Sequence, residues 1–535
     1  MTKRKGRIIS SGYAIGNVWV LEKSRRRAPH KSVTDTSAEL ARYEKVKNQA
    51  ITELKKLSDK VMRKEGAESA EIFIAQATIL MDEDYNSRIV DGIEKEGKNA
   101  EWAVSDSSRY FYDFFKNIKD EQINAKADDI RDVANRLLKR LMGDKSIAAP
   151  DEPSIIVAKE ITPSELMQIG KNKILAIVSK EGSAYSHVAI LAKTLGIPVV
   201  MGISLPASIN GKKCIVDGYN GIVFTDPDDA AITEYRNLIG EEAKEKVRLG
   251  ELVGKESVTR DGRRISLYAN ISGIDDIEEV LKNDAEGVGL LRTEFMFLDR
   301  DTLPTQEEHY RAYRSIVEKL KGKELVVRTL DLGADKRIPA LPDINETNPA
   351  LGTRAIRMCF KNPEMFMDQL KGVLMAAAYG KISIMFPMIT SVKEVKQILK
   401  MLETAKEELG RDGISYGLVK VGIMIETPAA ALISDQLAPM VDFISIGTND
   451  LTQYTLALDR MSSELVDFYN PYHEAVLRLL EVTVVNAKKA GIRVGICGEL
   501  ASDPKMTEEF LNMGIDELSV SPKFILGVRR RVREI

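Results

Sequence analysis

Cysteine is almost absent from this chain: Cys214, Cys359 and Cys497 are its only three in 535 residues. No CxxC pair occurs, which argues against a zinc site and against a disulfide framework. Histidine is nearly as scarce, with four residues, so a histidine placed at a chemically useful position stands out. No window reaches the roughly 18 apolar residues of a membrane span. The basic start, Met1 to Arg7, runs into Ile8-Ile9-Ser10 without the apolar stretch of a signal peptide. These absences predict a cytoplasmic protein with no membrane insertion. An excess of one charge is also lacking: the net charge of −3 gives no electrostatic basis for a nucleic-acid partner. What remains, 44% hydrophobic and 29% charged, is an ordinary globular composition, and 535 residues suggest about three domains.

The texture changes along the chain. A short strand-like start, Gly6 to Leu21, gives way near Ser24 to a stretch with helical patterning and little Gly or Pro that lasts to about Met142. There Ile72, Ala75, Gln76, Ile79 and Leu80 repeat at helical spacing, and a second amphipathic run opens at Ala127-Asp128-Asp129-Ile130-Arg131-Asp132-Val133. This block is expected to be a bundle of long antiparallel helices inserted after the first strand. From Pro153 to about Phe224, short apolar runs (Ile155–Ala158, Leu175–Val178, Pro198–Met201, Lys213–Asp217, Gly221–Thr225) alternate with helical patterns, which predicts a compact α/β domain. A polar stretch from Asp226 to Asp261 reads as a linker helix.

Eight further apolar runs follow, each with a loop and a helical pattern behind it: Ser266–Ile271, Gly287–Leu291, Leu325–Leu330, Ser383–Pro387, Val421–Ile425, Phe443–Gly447, Arg493–Cys497 and Leu518–Ser521. Eight such units over about 250 residues predict a (β/α)8 barrel. The fold class is therefore α/β multidomain, with a helical bundle inserted in a small α/β domain and a C-terminal TIM barrel. The expected division is 1–23 with 144–226 for the α/β domain, 24–143 for the helices, 227–260 for the linker helix and 261–535 for the barrel.

Two places carry chemistry. In Glu181-Gly182-Ser183-Ala184-Tyr185-Ser186-His187, a small-residue loop delivers His187 to the first turn of a helix that Ser186 can cap and Gly196 stops. The positive end of the helix dipole there favours a neutral, nucleophilic imidazole and stabilises a phosphoryl group on it. A histidine merely filling a helix start is the other reading. In the barrel, Arg292, Arg328, Glu426, Asn449, Asp450 and Cys497 all fall at C-terminal strand ends, where barrel chemistry lies. Glu426 and Asp450, without His or Cys beside them, suit Mg²⁺. Arg292, Arg328 and Arg460 suit a small acid that bears both phosphate and carboxylate. Cys497, flanked by Gly495 and Gly498, is either a buried inert thiol or a proton donor to carbon.

These residues lie in longer strings: Glu286–Phe295, Val327–Asp331, Asn348–Arg357, Ile425–Pro428, Ser445–Tyr454 and Cys497–Glu499. Together they resemble the phosphoenolpyruvate-protein phosphotransferases, enzyme I of the bacterial sugar phosphotransferase system, over essentially the whole chain. The resemblance implies a phosphotransferase with a nitrogenous acceptor. On that resemblance, phosphoenolpyruvate is expected on the barrel with its phosphate at Arg292 and Arg328, helped by Lys336 and Arg354, its carboxylate at Asn449, Asp450 and Arg460, and Mg²⁺ on Glu426 and Asp450. It likewise implies that His187 Nε2 takes the phosphoryl group, that Cys497 protonates the enolpyruvate carbon to give pyruvate, and that the group passes to the phosphocarrier protein HPr docked on the helices. A homodimer through the barrel is also implied.

Around the nucleophile the family's Gly-Gly-x-Thr-Ser-His becomes Gly182-Ser183-Ala184-Tyr185-Ser186-His187, so Ser183 or Ser186 is expected to orient the imidazole in place of a threonine. After Asp459-Arg460 stands Met461 where the family commonly has Gly. His30, His309 and His473 are expected at the solvated surface. A paralogue serving a dedicated regulatory carrier is the alternative function. A pyruvate phosphate dikinase or phosphoenolpyruvate synthase fits less well, because no glycine-rich ATP-binding domain precedes the helices.

Overall fold

The computed structural model describes residues 1–21, 28–65, 67–117, 121–143, 149–181, 187–297, 300, 302–333, 340–341, 346–460, 465 and 468–535. They divide into two compact units, Met1–Glu245 and Lys246–Ile535.

The first unit is built on an eight-stranded sheet. Its strands are β1 (Thr2–Lys5), β2 (Arg7–Ser10), β3 (Tyr13–Val20), β4 (Ser154–Ala158), β5 (Ile174–Ser179), β6 (Val199–Met201), β7 (Lys213–Asp217) and β8 (Ile222–Thr225), in the order β1-β8-β7-β3-β4-β5-β6-β2. β3 to β6 run parallel, and antiparallel pairs close both sides. Both faces of the parallel part are covered, which is why β4 and β5 read as continuous apolar runs rather than alternating ones. Ile155 and Val157 enter the core on one face; Ile156 and Ala158 enter the core on the other.

That second core is shared with the inserted helices α1 (Thr36–Glu65), α2 (Ala67–Met81), α3 (Glu83–Glu94), α4 (Ala100–Lys116) and α5 (Glu121–Leu141). Leu54, Phe73, Leu80, Ile130 and Val133 pack in the same cluster as Ile156, Val188 and Leu191. α3 starts where Asp82 accepts the Tyr85 backbone N–H at 2.8 Å, a side-chain cap on the first turn. A polar seam joins the helices to α6 (Pro163–Ile169): Gln76 Nε2 and Ser164 Oγ both donate to the buried Asp132, at 2.8 and 3.1 Å. α7 spans His187–Thr194, and α8 (Asp229–Gly250) fills most of the stretch read as a linker helix.

The second unit is a closed barrel of eight parallel strands: β9 (Ser266–Ile271), β10 (Gly287–Leu291), β11 (Glu324–Arg328), β12 (Ile382–Phe386), β13 (Lys420–Ile425), β14 (Phe443–Ile446), β15 (Arg493–Ile496) and β16 (Glu517–Val520). Each begins and ends within two residues of the run expected from sequence. Leu290, Val326, Met385, Met424, Phe443 and Cys497 fill the interior. The Phe443 ring fits because β13 has Gly422 beside it, where a Cβ would come within 2.3 Å of the ring. The N-terminal end is stopped by Arg493, which donates to Glu324 at 3.0 and 3.4 Å, while Tyr268 Oη donates to the same carboxylate at 2.9 Å. Paired charges thus occupy that end, and the candidate residues lie at the other, the C-terminal strand ends. Among the described residues no helix is long and apolar enough to cross a membrane.

Candidate active site at the barrel mouth

The C-terminal strand ends carry a linked set of ion pairs. Arg328, the last residue of β11 and only 9% exposed, places Nη2 at 2.5 Å from Glu294 and Nη1 at 3.0 Å from Asp331. Asp331 is shared: Arg354 Nη2 lies 2.9 Å from its other oxygen. Arg354 then reaches on, with Nη1 at 3.3 Å from Asp450 and 3.0 Å from Tyr454 Oη. Arg460, half-buried, stands 3.7 Å from the second Asp450 oxygen. Burial alone would raise the Asp331 carboxyl, but Arg328 and Arg354 outweigh it and hold it below the usual range. It therefore stays charged and fixes both arginines.

Two local features aim these groups. Arg354 precedes Ala355, a non-glycine residue at φ 51°, whose N–H is tied to Leu332 O at 3.0 Å. Such a conformation is costly for a residue with a Cβ, and it persists because the surrounding bonds over-determine it. Tyr454 Oη also donates to the Ala350 carbonyl, so one tyrosine joins the segment before Arg354 to the helix Thr448–Thr455 that carries Asp450.

Glu426, directly after β13, is 1% exposed. Its Oε1 accepts the Met388 backbone N–H at 2.6 Å, and its Oε2 faces Gly447, where a Cβ would come within 2.8 Å. Burial, with Asp450 and Asp331 adding to it, pushes the carboxyl up to about 8. Buried carboxylates that repel one another in this way fit a divalent cation. Among the described residues no group of three or more His, Cys, Asp or Glu gathers to hold an ion. Glu426 and Asp450 themselves offer oxygen donors only, the kind a hard ion takes.

Cys497, the residue after β15, is 5% exposed, with Sγ 3.7 Å from the Ile446 carbonyl. Burial pushes its thiol up to about 11, so it holds its proton at neutral pH. Asn449 faces Glu499: its Oδ1 accepts the Glu499 N–H at 3.0 Å and its amide lies 3.4 Å from the Glu499 carboxylate. Arg292, the residue after β10, is exposed and makes no ion pair with a described residue. Glu294 Oε2, Arg328 Nε and Thr448 Oγ1 are buried without a hydrogen-bond partner. Of these, Arg328 Nε and Thr448 Oγ1 can donate to an anionic ligand, whereas Glu294 Oε2 can only accept.

Of the candidate residues, Arg328, Glu426, Asp450, Arg460 and Arg354 are thus brought into one electrostatic network with Cys497 at its floor. The side chain of His187, the loop Gly182–Ser186 that includes Ser183 and Ser186, Lys336 and Met461 lie outside the described residues. Glu294, Asp331 and Tyr454 were given no role from sequence, although they sit inside the quoted strings. Their signal was spacing: Glu294 and Asp331 stand two and three residues beyond Arg292 and Arg328, near enough to turn back onto an arginine.

One histidine departs from expectation. His309 is not at the surface but fully buried, 0% exposed, with Nδ1 2.9 Å from Tyr313 Oη. The reason is the packing of helices Gln306–Lys319 and Pro363–Ala376, which close over it at Gly372. His30 is exposed and stacks on Trp102, and the half-buried His473 caps the helix Glu474–Lys489 through Nδ1, which accepts the Ala475 N–H at 3.1 Å.

The barrel, with a charge-paired cationic mouth and a protonated thiol beneath it, matches the family profile described as PEP-utilising enzyme, PEP-binding domain, over residues 246–535. Residues 5–126 match the N-terminal domain and 150–221 the mobile domain of the same enzymes. These matches define a PEP-utilising enzyme. Proteins named phosphoenolpyruvate-protein phosphotransferase are similar along nearly the full length. That of Staphylococcus carnosus is 39% identical over 536 residues, 99% of this chain and 94% of its own. That of Bacillus subtilis is 38% identical over 541 residues, 100% and 95%, and that of Haemophilus influenzae 38% over 537 residues, 99% and 93%. The chain belongs to the phosphoenolpyruvate-protein phosphotransferase family.

Proposed function

We propose that this enzyme moves the phosphoryl group of phosphoenolpyruvate to its own His187 and then to a histidine of the phosphocarrier HPr, releasing pyruvate as the first step of sugar uptake. The observation that carries the reading is the mouth network itself: the buried Arg328 and the half-buried Arg354, held by Glu294, Asp331 and Asp450, beside Glu426 and a thiol that keeps its proton. Arg292 and Arg328 hold the phosphate, with Lys336 and Arg354 as helpers. Asn449, Asp450 and Arg460 hold the carboxylate.

His187 Nε2 attacks phosphorus, and the bond from phosphorus to the enol oxygen breaks with its electron pair left on that oxygen. The arginines keep the phosphoryl group in place while its charge shifts. Cys497 then gives its proton to C3 of the enolate, yielding pyruvate, and regains one from water. Glu426 and Asp450 would hold Mg²⁺, which supplies neutralisation of the charge that moves during transfer.

The assignment of regions follows: 1–23 with 144–226 form the domain that carries His187, 24–143 dock HPr, 227–260 link, and 261–535 bind phosphoenolpyruvate. One imidazole cannot meet both a barrel mouth and a partner protein at once, so the carrier domain must move between them. The protein works in the cytoplasm as a homodimer joined through the barrel.

The test is incubation with radiolabelled phosphoenolpyruvate and Mg²⁺. An acid-labile, base-stable phosphoprotein is expected, lost in His187→Ala and discharged by HPr. Label that persists in His187→Ala overturns the relay, and label that HPr fails to discharge overturns HPr as the acceptor.

A further inference from the structure

Gln369 lies on the outer helix Pro363–Ala376, 1% exposed, and is tied to the ends of two barrel strands at once. Its Oε1 accepts the Leu330 backbone N–H at 3.1 Å, two residues beyond Arg328. Its Nε2 donates to Thr293 Oγ1 at 3.2 Å, next to Arg292, and to Tyr313 Oη at 3.2 Å. Thr293 Oγ1 in turn donates to the Arg328 carbonyl at 2.9 Å.

The directions of these bonds follow from one peptide group. The Leu330 N–H can only donate, so the amide oxygen must face it and the amine must face the two hydroxyls. Thr293 and Tyr313 therefore accept from Gln369. Thr293 spends its own proton on the Arg328 carbonyl, and Tyr313 Oη lies 2.9 Å from His309 Nδ1.

These bonds join the residue after Arg292 to the backbone of Arg328. We infer that Gln369 is a positioning residue that sets the spacing of the two arginines. The inference rests on the reading above that Arg292 and Arg328 hold the phosphate. Two guanidinium forks grip one phosphate only at a fixed separation, and Gln369 adds a buried tie from a third element to the direct bonds that Thr293 and Glu294 make to Arg328.

The test measures phosphorylation of His187 from phosphoenolpyruvate and Mg²⁺ in wild type, Gln369→Met, Arg328→Lys and the double variant, with unfolding midpoints alongside. Gln369→Met is expected to raise KM about tenfold and to change kcat less than about threefold. The double variant is expected to have the KM of Arg328→Lys, because a residue acting through Arg328 has nothing left to position. Gln369→Glu keeps the acceptor for Leu330 but draws the Thr293 proton away from the Arg328 carbonyl. It should raise KM in the same direction, and it carries the test if the Met variant does not fold. Wild-type KM in Gln369→Glu, or effects of Gln369→Met and Arg328→Lys that multiply in the double variant, overturn the positioning role. Wild-type KM in Arg328→Lys instead overturns the phosphate assignment, and the inference falls with it.

Discussion

The Met388 backbone N–H donates to Glu426 Oε1 at 2.6 Å from a residue held at φ 58°, so a strained turn after β12 fixes the carboxylate at the end of β13. An amide can accept the same N–H without the charge. Glu426→Gln should therefore keep its pose and lose cation affinity: the Mg²⁺ concentration for half-maximal His187 phosphorylation is expected to rise at least about tenfold. Calorimetry without Mg²⁺ should show no fall in the barrel's unfolding midpoint. An unchanged Mg²⁺ requirement removes Glu426 from the metal site.

Cys497 is proposed to act on carbon rather than on phosphorus, and exchange of the pyruvate methyl protons with solvent deuterium reports that step alone. Cys497→Ala is expected to slow the exchange by about a hundredfold or more. With the thiol pushed up to about 11, the donor stays protonated between about pH 6 and pH 9, and wild-type proton delivery should show no alkaline limb there. Exchange at the wild-type rate in the alanine variant returns Cys497 to the core residue its burial also fits.

The barrel was legible because its strands are largely buried on both sides and read as short, mostly apolar runs, and because arginines and carboxylates at strand ends have few structural reasons to be there. Partners across the sequence were not legible. Arg328 and Arg354 looked like independent anion holders, but Asp331 pairs with both, which needs the chain to return from residue 331 to 354 in three dimensions. His309 failed for the same reason: its neighbours in sequence are polar, and it is the helix carrying Gly372 that removes it from water. Gln369 gave no signal at all, since a lone glutamine in a helix is ordinarily a surface residue.

The approach of those two helices depends on Gly372. A Cβ there would lie 2.4 Å from His309 Cβ and 3.0 Å from the Tyr310 backbone nitrogen, neither of which is the free end of a side chain. Gly372→Ala is thus expected to overpack the contact despite the better helix propensity of alanine, costing about 1–3 kcal/mol. Thermal unfolding of the barrel checks it, and a variant as stable as wild type means that the helices can separate without loss.

His309 makes the barrel sensitive to acid. Burial lowers its proton affinity to about 3, against an unfolded value of about 6.5. Between those values the unfolded chain binds a proton that the folded chain refuses. The contribution is therefore complete above about pH 6.5 and is lost as the pH falls toward 3. His309→Gln removes the titrating group while leaving an amide that can meet Tyr313. The substitution should cost stability at neutral pH, but the gap between wild type and variant should narrow by about 1 kcal/mol from pH 6.5 to pH 5.5. Denaturant unfolding at the two values measures the gap directly. A constant gap means that His309 titrates alike in both states, which a fully buried imidazole with an unpartnered Nε2 cannot do without rearrangement of the helices around it.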